Sequence, residues 1–227
     1  MCTFNTDKIY LTWKKSTDCV RHIIGVLVEE KGNFIFSYIQ ENLEEAQKDG
    51  FSNYSAFSDT TKIYAENVLE TFNRRLLNPT RRDYDTFLSY WCANEYKGNI
   101  FALLGLTGAK LITDNFEFIA PHLEFPATFY TNISWLSKAK DETREIVRAS
   151  ELNEINNNLS LQLDLQNTFD RNAVEILYKQ ERLGFLKSIH CDNVADALRA
   201  NKNVSVGAKN IIRNGTIKEI LLKITIN

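Results

Sequence analysis

The sequence predicts an α+β chain of two domains. Three observations carry this. Residues 8–38 alternate apolar and polar side chains as strands do, the middle of the chain carries amphipathic helical stripes, and residues 126–227 return to short β-rich runs. Pro121 and Pro126 flank the tetrapeptide HLEF, which marks the expected boundary, with domains at 1–125 and 126–227.

The elements follow in order. KIYLTWKK and VRHIIGVLVEEKGNFIFSY read as strands, with Lys31-Gly32-Asn33 as a hairpin signal between two apolar runs. ENLEEAQKD, residues 41–49, is a short helix closed by Gly50. Residues 51–65 form an irregular loop rich in Ser, Thr and aromatic residues. ENVLETFNRRLL places Val68, Leu69, Phe72, Leu76 and Leu77 on one helical face, and Asn78-Pro79 ends it. RRDYDTFLSYWCA is a second amphipathic helix, NIFALLGLTGAKLI a helix followed by a turn, and DNFEFIAP a strand.

Beyond Pro126, ATFYTNISWL reads as a strand and KAKDETREIVRA as a helix. LSLQLDL, NAVEILY and RLGFLK are strands, CDNVADALRA a helix, and VSVGAKNI and TIKEILLKITIN closing strands. Many short strands with few helices predict a small β-barrel.

Composition is that of an ordinary soluble chain, 44% hydrophobic and 25% charged. No apolar run reaches the ~18 residues of a membrane span, and the start of the chain lacks a signal-peptide pattern. Cys2, Cys19, Cys92 and Cys191 lie far apart without a CxxC, which reads as reduced thiols in a cytoplasmic protein. The net charge of −2 hides an asymmetry. Residues 1–125 hold 13 basic and 17 acidic side chains, whereas residues 171–227 hold 10 and 5. That basic segment permits an anionic partner without requiring one.

Enzyme signatures are missing. There is no GxGxxG, GxxxxGK[ST], HExxH or GxSxG. GLTGAK has the spacing of none of these, and its Gly105 and Gly108 read as helix-end and turn residues. His22, His122 and His190 have no Cys or His at ligand spacing. Asp83 and Asp85, beside Arg81 and Arg82, read as helix-start charges. No catalytic residue, metal or cofactor is expected.

The stretch NTFDRNAVEI, residues 167–176, stands apart. It sets Phe169 and Asp170 side by side in a polar turn ahead of a strand. Two readings are open. Asn167 and Asp170 cap the turn while Phe169 packs over the strand. Alternatively the ring is exposed, stacks on a nucleic-acid base, and the carboxylate accepts a hydrogen bond from a strand-end hydroxyl.

LDLQNTFDRNAVEI followed by RLGFLKS resembles the signature of the HIRAN domain, over roughly residues 126–227. The signature is an Asn, an aromatic, Asp, a variable residue, Asn-Ala and an apolar residue, then a Gly-x-Leu strand entering a helix. The resemblance implies a small barrel similar to OB folds, and the members fused to replication-fork remodelling helicases bind single-stranded DNA at a free 3′-hydroxyl. It implies that Phe169 stacks on the terminal bases, that Asp170 accepts the hydroxyl, that Lys187 faces a phosphate, and that Trp135 is a second ring. The Arg that precedes this aromatic in the family is Ser134 here.

Residues 8–120 resemble the N-terminal subdomain of HipA-type kinases, through GNFIFSYIQENLEEAQKDGF, FSDTTKIYAENVLETFNRRLL, FALLGLTGAK and NFEFI in that order. The kinase core does not follow. The resemblance implies an accessory or antitoxin-like protein that binds and restrains a HipA-like Ser/Thr kinase, with a helix-turn-helix protein as a further partner. Tyr54, Phe57 and Tyr64 in the 51–65 loop either anchor that partner or fill the domain's own core. The alternative reading is a single-stranded DNA 3′-end binding module of repair or phage defence on an inert N-terminal scaffold.

Overall fold

The computed structural model describes residues 4–16, 19–121 and 126–227. The chain divides into two compact units, Phe4–Pro121 and a second holding residues 126–227. HLEF, the expected boundary, lies outside the described residues, as do Cys2 and His122. The chain is of mixed α+β character throughout.

The first unit is built on a four-stranded antiparallel sheet. Its strands are β1 (Lys8–Trp13), β2 (His22–Glu30), β3 (Asn33–Tyr38) and β4 (Phe116–Ile119), in the order β3-β2-β1-β4. Glu30 pairs with Asn33, so the hairpin turn is Lys31-Gly32 alone. Both residues have positive φ, 51° and 82°, the left-handed pair that a two-residue turn between right-twisted strands requires. Helices α1 (Gln40–Lys48), α2 (Val68–Asn73), α3 (Tyr84–Tyr90) and α4 (Ile100–Thr107) complete the unit. Its core joins Ile9, Leu11, Leu27, Phe36, Phe72, Phe101, Leu104 and Phe118.

Helix α2 ends four residues before its apolar stripe does. Arg75 and Leu76 donate to Phe72 and Asn73, three residues back, which tightens the chain out of the α-helix. The Arg75 side chain holds this geometry. It is buried and donates to both Asp114 oxygens at 2.6 and 2.8 Å and to the Ala109 carbonyl at 3.1 Å, with its guanidinium between the rings of Tyr54 and Phe116.

The second unit holds two three-stranded antiparallel sheets. One has the order β5-β10-β9, from β5 (Ala127–Asn132), β9 (Val204–Asn214) and β10 (Thr216–Ile226). The other has the order β6-β7-β8, from β6 (Leu159–Leu163), β7 (Val174–Tyr178) and β8 (Glu181–Phe185). Helices α5 (Asp141–Ala149), α6 (Leu152–Asn158) and α7 (Ser188–Arg199) pack with them around Phe129, Val147, Ile155, Ile176, Leu183, Val194 and Ile224.

This corrects the expected barrel, because neither sheet closes. Closure needs a continuous ladder, and among the described residues the two sheets are joined only by the single bridge Ser134↔Phe185. On β9 the Ala208 amide donates to the Asn156 side chain on α6, so a helix occupies part of that strand's edge. Helix α6 itself is absent from the sequence pattern. It is Asn-rich, and of its two apolar residues only Ile155 is buried.

Candidate functional site

The turn between β6 and β7 is built from side-chain caps. Asp164 accepts from the Gln166 amide at 3.1 Å and from the Asn167 side chain at 3.1 Å. Asn167 Oδ1 accepts from the amides of Phe169 and Asp170, both at 3.0 Å. Asp170 Oδ1 accepts from the Asn172 amide at 2.8 Å. Short polar side chains thus fix the whole loop from Asp164 to Asn172.

Two further bonds tie the turn to α7. The Asn172 side chain donates to Asp192 at 2.7 Å, and Arg199 donates to the Arg171 carbonyl at 3.2 Å. Between them lies an open groove of about 520 Å³, lined by Arg171, Asn172, Asp192, Asp196 and Arg199.

Asn167 and Asp170 therefore cap the turn, as the first reading expects, but Phe169 does not pack over the strand. Its side chain is 95% exposed, and Leu165 in the same loop is 82% exposed. An ordered loop that holds a full aromatic ring in solvent presents a stacking surface without an ordering step. Asp170 is half-buried, and its second carboxylate oxygen receives no hydrogen bond among the described residues.

The fold brings all four expected nucleic-acid residues to one end of the β6-β7-β8 sheet. The capped turn leads directly into β7. The Leu186 amide donates to the Val174 carbonyl at 2.9 Å, which sets Lys187, at the start of α7, beside the turn. Ser134 and Phe185 exchange two backbone bonds, 2.8 and 2.9 Å, which bring Trp135 to the end of β8. Trp135 is half-buried with φ 61°, a left-handed conformation unusual for a bulky residue. Lys187 is half-buried too. Of the four, Phe169 is the open ring and Asp170 the open acceptor.

Beneath this end lies Cys191, buried in α7. Burial pushes its thiol up to about 12, and the nearby carboxylates of Asp170 and Asp192 push the same way. The group is a packed thiol that keeps its proton at neutral pH.

The groove residues of α7 escaped the sequence reading. Asp192, Asp196 and Arg199 stand at i, i+4 and i+7, which from sequence is an ordinary solvated helix face. Only Arg171 and Asn172, inside NTFDRNAVEI, carried a signal.

In the first unit Tyr54, Phe57 and Tyr64 are brought together, but inward. Phe57 is buried, with ring centroids 4.7 Å from Tyr64, 5.8 Å from Tyr54 and 5.1 Å from both Phe36 and Phe72. The Tyr38 hydroxyl donates to the Phe57 carbonyl and accepts from the Tyr54 amide, both at 2.7 Å. These rings belong to the unit's own core.

The remaining candidates resolve as local structure. His22 bonds Asp49 at 2.7 Å, and His190 is buried against Phe129. Gly108 ends α4 with φ 74°, whereas Gly105 lies inside that helix, packed on Phe4 and Ile9. Among the described residues no group of three or more His, Cys, Asp or Glu is placed to hold a metal ion. No helix there is long and apolar enough to cross a membrane. Comparison with known protein-family models, curated proteins and solved structures yields no match.

Proposed function

We propose that residues 126–227 form a HIRAN-like unit that holds the 3′ end of a single nucleic-acid strand. The observation that carries this reading is Phe169, fully presented on a capped turn beside the open oxygen of Asp170. Stacking on such a ring contributes about 1–3 kcal/mol per base. A free hydroxyl donates to the carboxylate, whereas a terminal phosphate meets like charge and offers no donor in its place. The Arg171 guanidinium, without an ion pair among the described residues and across the groove from Arg199, suits the preceding phosphate.

The test compares oligonucleotides ending in a 3′-hydroxyl and in a 3′-phosphate. The hydroxyl form binds more tightly. Asp170→Asn, which keeps the turn acceptor and removes the charge, narrows the difference, and Phe169→Ala weakens both forms. Equal binding of both ends by the unmodified chain would reduce Asp170 to a turn cap.

A second reading assigns the first unit to a HipA-like Ser/Thr kinase that it binds and restrains, without catalytic activity of its own. Ile63, 67% exposed in the same loop as the inward rings, supports it as the apolar anchor in their place. Co-purification of the full chain with a HipA-type kinase tests this, and Ile63→Asp is expected to abolish it. Co-purification unaffected by Ile63→Asp would remove this loop from the interface.

A further inference from the structure

Strands β9 and β10 each carry one residue too many. On β10, Ile217 pairs with Arg213 and Glu219 with Ile212, so Lys218 is inserted between consecutive pairs. On β9, Ala208 faces Leu222 and Asn210 faces Leu221, so Lys209 is inserted in the same way. A bulge turns two successive residues to one side and returns the flanking residues to the other. The flanking residues here are apolar and face the core: Ile217 and Ile220 around Lys218, Ala208 and Ile211 around Lys209. The bulges keep the inner face of the hairpin packed and put both lysines on its outer face, where they are exposed. Lys223, between the buried Leu222 and Ile224, points the same way.

None of the three lysines has a hydrogen bond or ion pair among the described residues. Glu219 is the one acidic residue of the two strands. A lysine on an edge strand commonly guards against unwanted strand pairing. That accounts for Lys209, since β9 is an edge, but not for Lys218 and Lys223 on the central strand β10. At about 3.3 Å per residue, Lys218 and Lys223 span roughly 16 Å. Three exposed, unpaired point charges on the outer side of the hairpin match a linear polyanion and offer no base readout.

We propose that Lys209, Lys218 and Lys223 form a phosphate-backbone track for single-stranded nucleic acid, separate from the Phe169 turn. The proposal deepens the strand-end reading and rests on it for the identity of the polyanion. The track adds sequence-independent affinity, and the turn adds preference for the end.

The experiment measures affinity of the full chain for a labelled oligothymidylate, with a 3′-hydroxyl or a 3′-phosphate, across a salt series. In the Lys209→Gln, Lys218→Gln, Lys223→Gln triple variant, the slope of log affinity against log salt falls by about 2, since each phosphate neutralised on a single strand adds ~0.7 to it. The ratio between the two ends stays unchanged. The corresponding triple Lys→Arg variant keeps the original slope, which separates charge from folding. An unchanged slope in the Gln variant, or no salt-dependent binding by the unmodified chain, overturns the track. Loss of end preference with the slope difference intact overturns the strand-end reading alone.

Discussion

Gly184 of β8 lies against the main chain of Ser134: a methyl group on its Cα would stand 2.5 Å from the Ser134 carbonyl oxygen and 2.4 Å from Ile133 Cγ2. The glycine of the RLGFLK stretch is the gap through which the segment after β5 approaches β8, and it sets Trp135 in place. Gly184→Ala is expected to force the two segments apart at a cost of about 1–3 kcal/mol. Hydrogen exchange of the Ser134 and Phe185 amides reads this directly, because their mutual bonds are the ones that open. Unaltered protection of both amides would show that Ile133 gives way instead.

The Asn167 side chain is the sole acceptor given to two successive amides of the capped turn. Asn167→Ala should loosen residues 167–170 and reduce stability by about 1 kcal/mol. Limited proteolysis after Phe169 should accelerate while thermal unfolding of the chain changes little. A protected Phe169 bond in the variant would mean that Asp164 and Asp170 suffice to hold the loop.

Arg75 is buried with its charge matched mainly by Asp114. Asp114→Ala leaves that guanidinium with main-chain carbonyls and the flanking rings but no counter-charge, and the expected loss is about 3–5 kcal/mol in chemical denaturation. A loss below about 1 kcal/mol would mean that the carbonyls of Ala109 and Phe116 satisfy the cation.

Two buried groups predict weakening in alkali. Cys191 is pushed up to about 12 from an ordinary 9.0, and Tyr38 to about 12 from 10.0, each chiefly by burial. In the unfolded chain the thiol loses its proton near its ordinary value, while the folded chain keeps it. Their contribution to stability is therefore complete below pH 9 and is lost progressively as the pH rises toward 12. Denaturation midpoints should fall across that window, and Cys191→Ala should flatten the early part of the fall. At pH 8 the folded chain should leave Cys191 unlabelled by a thiol reagent while Cys19 and Cys92, both partly exposed, react.

Local signals were legible where local chemistry decides. Lys31-Gly32, the apolar alternation around it and the caps at Asn167 and Asp170 all follow from residues within reach of one another. The end of α2 was not legible, because Arg75 is drawn to Asp114, 39 residues away. Nor was α6, whose helical state is maintained by the burial of Ile155 and by Asn156 at the edge of β9. The barrel was not legible for a related reason: short alternating strands specify their pairing partners only weakly, and here they pair as two separate sheets of three. The direction of Phe169 is invisible in sequence, since the same letters serve a packed ring and a presented one. For Tyr54, Phe57 and Tyr64, aromatic density in a loop gave no hint that Tyr38 would draw the loop inward.

The sheet order β5-β10-β9 sets a timetable for the second unit. Its central strand is residues 216–226, while the strand on one side, β5, is made some ninety residues earlier. Until β10 has been synthesised, β5 exposes an unpaired edge, and the buried face of Phe129 waits for Ile224 to arrive opposite it. In the first unit β1 also waits for a late partner, β4, but one of its edges is paired with β2 as soon as that strand follows it. Emergence from the ribosome should therefore yield an early folded half tethered to a late one. In that interval a holdase chaperone has its clearest target, the lone β5 edge.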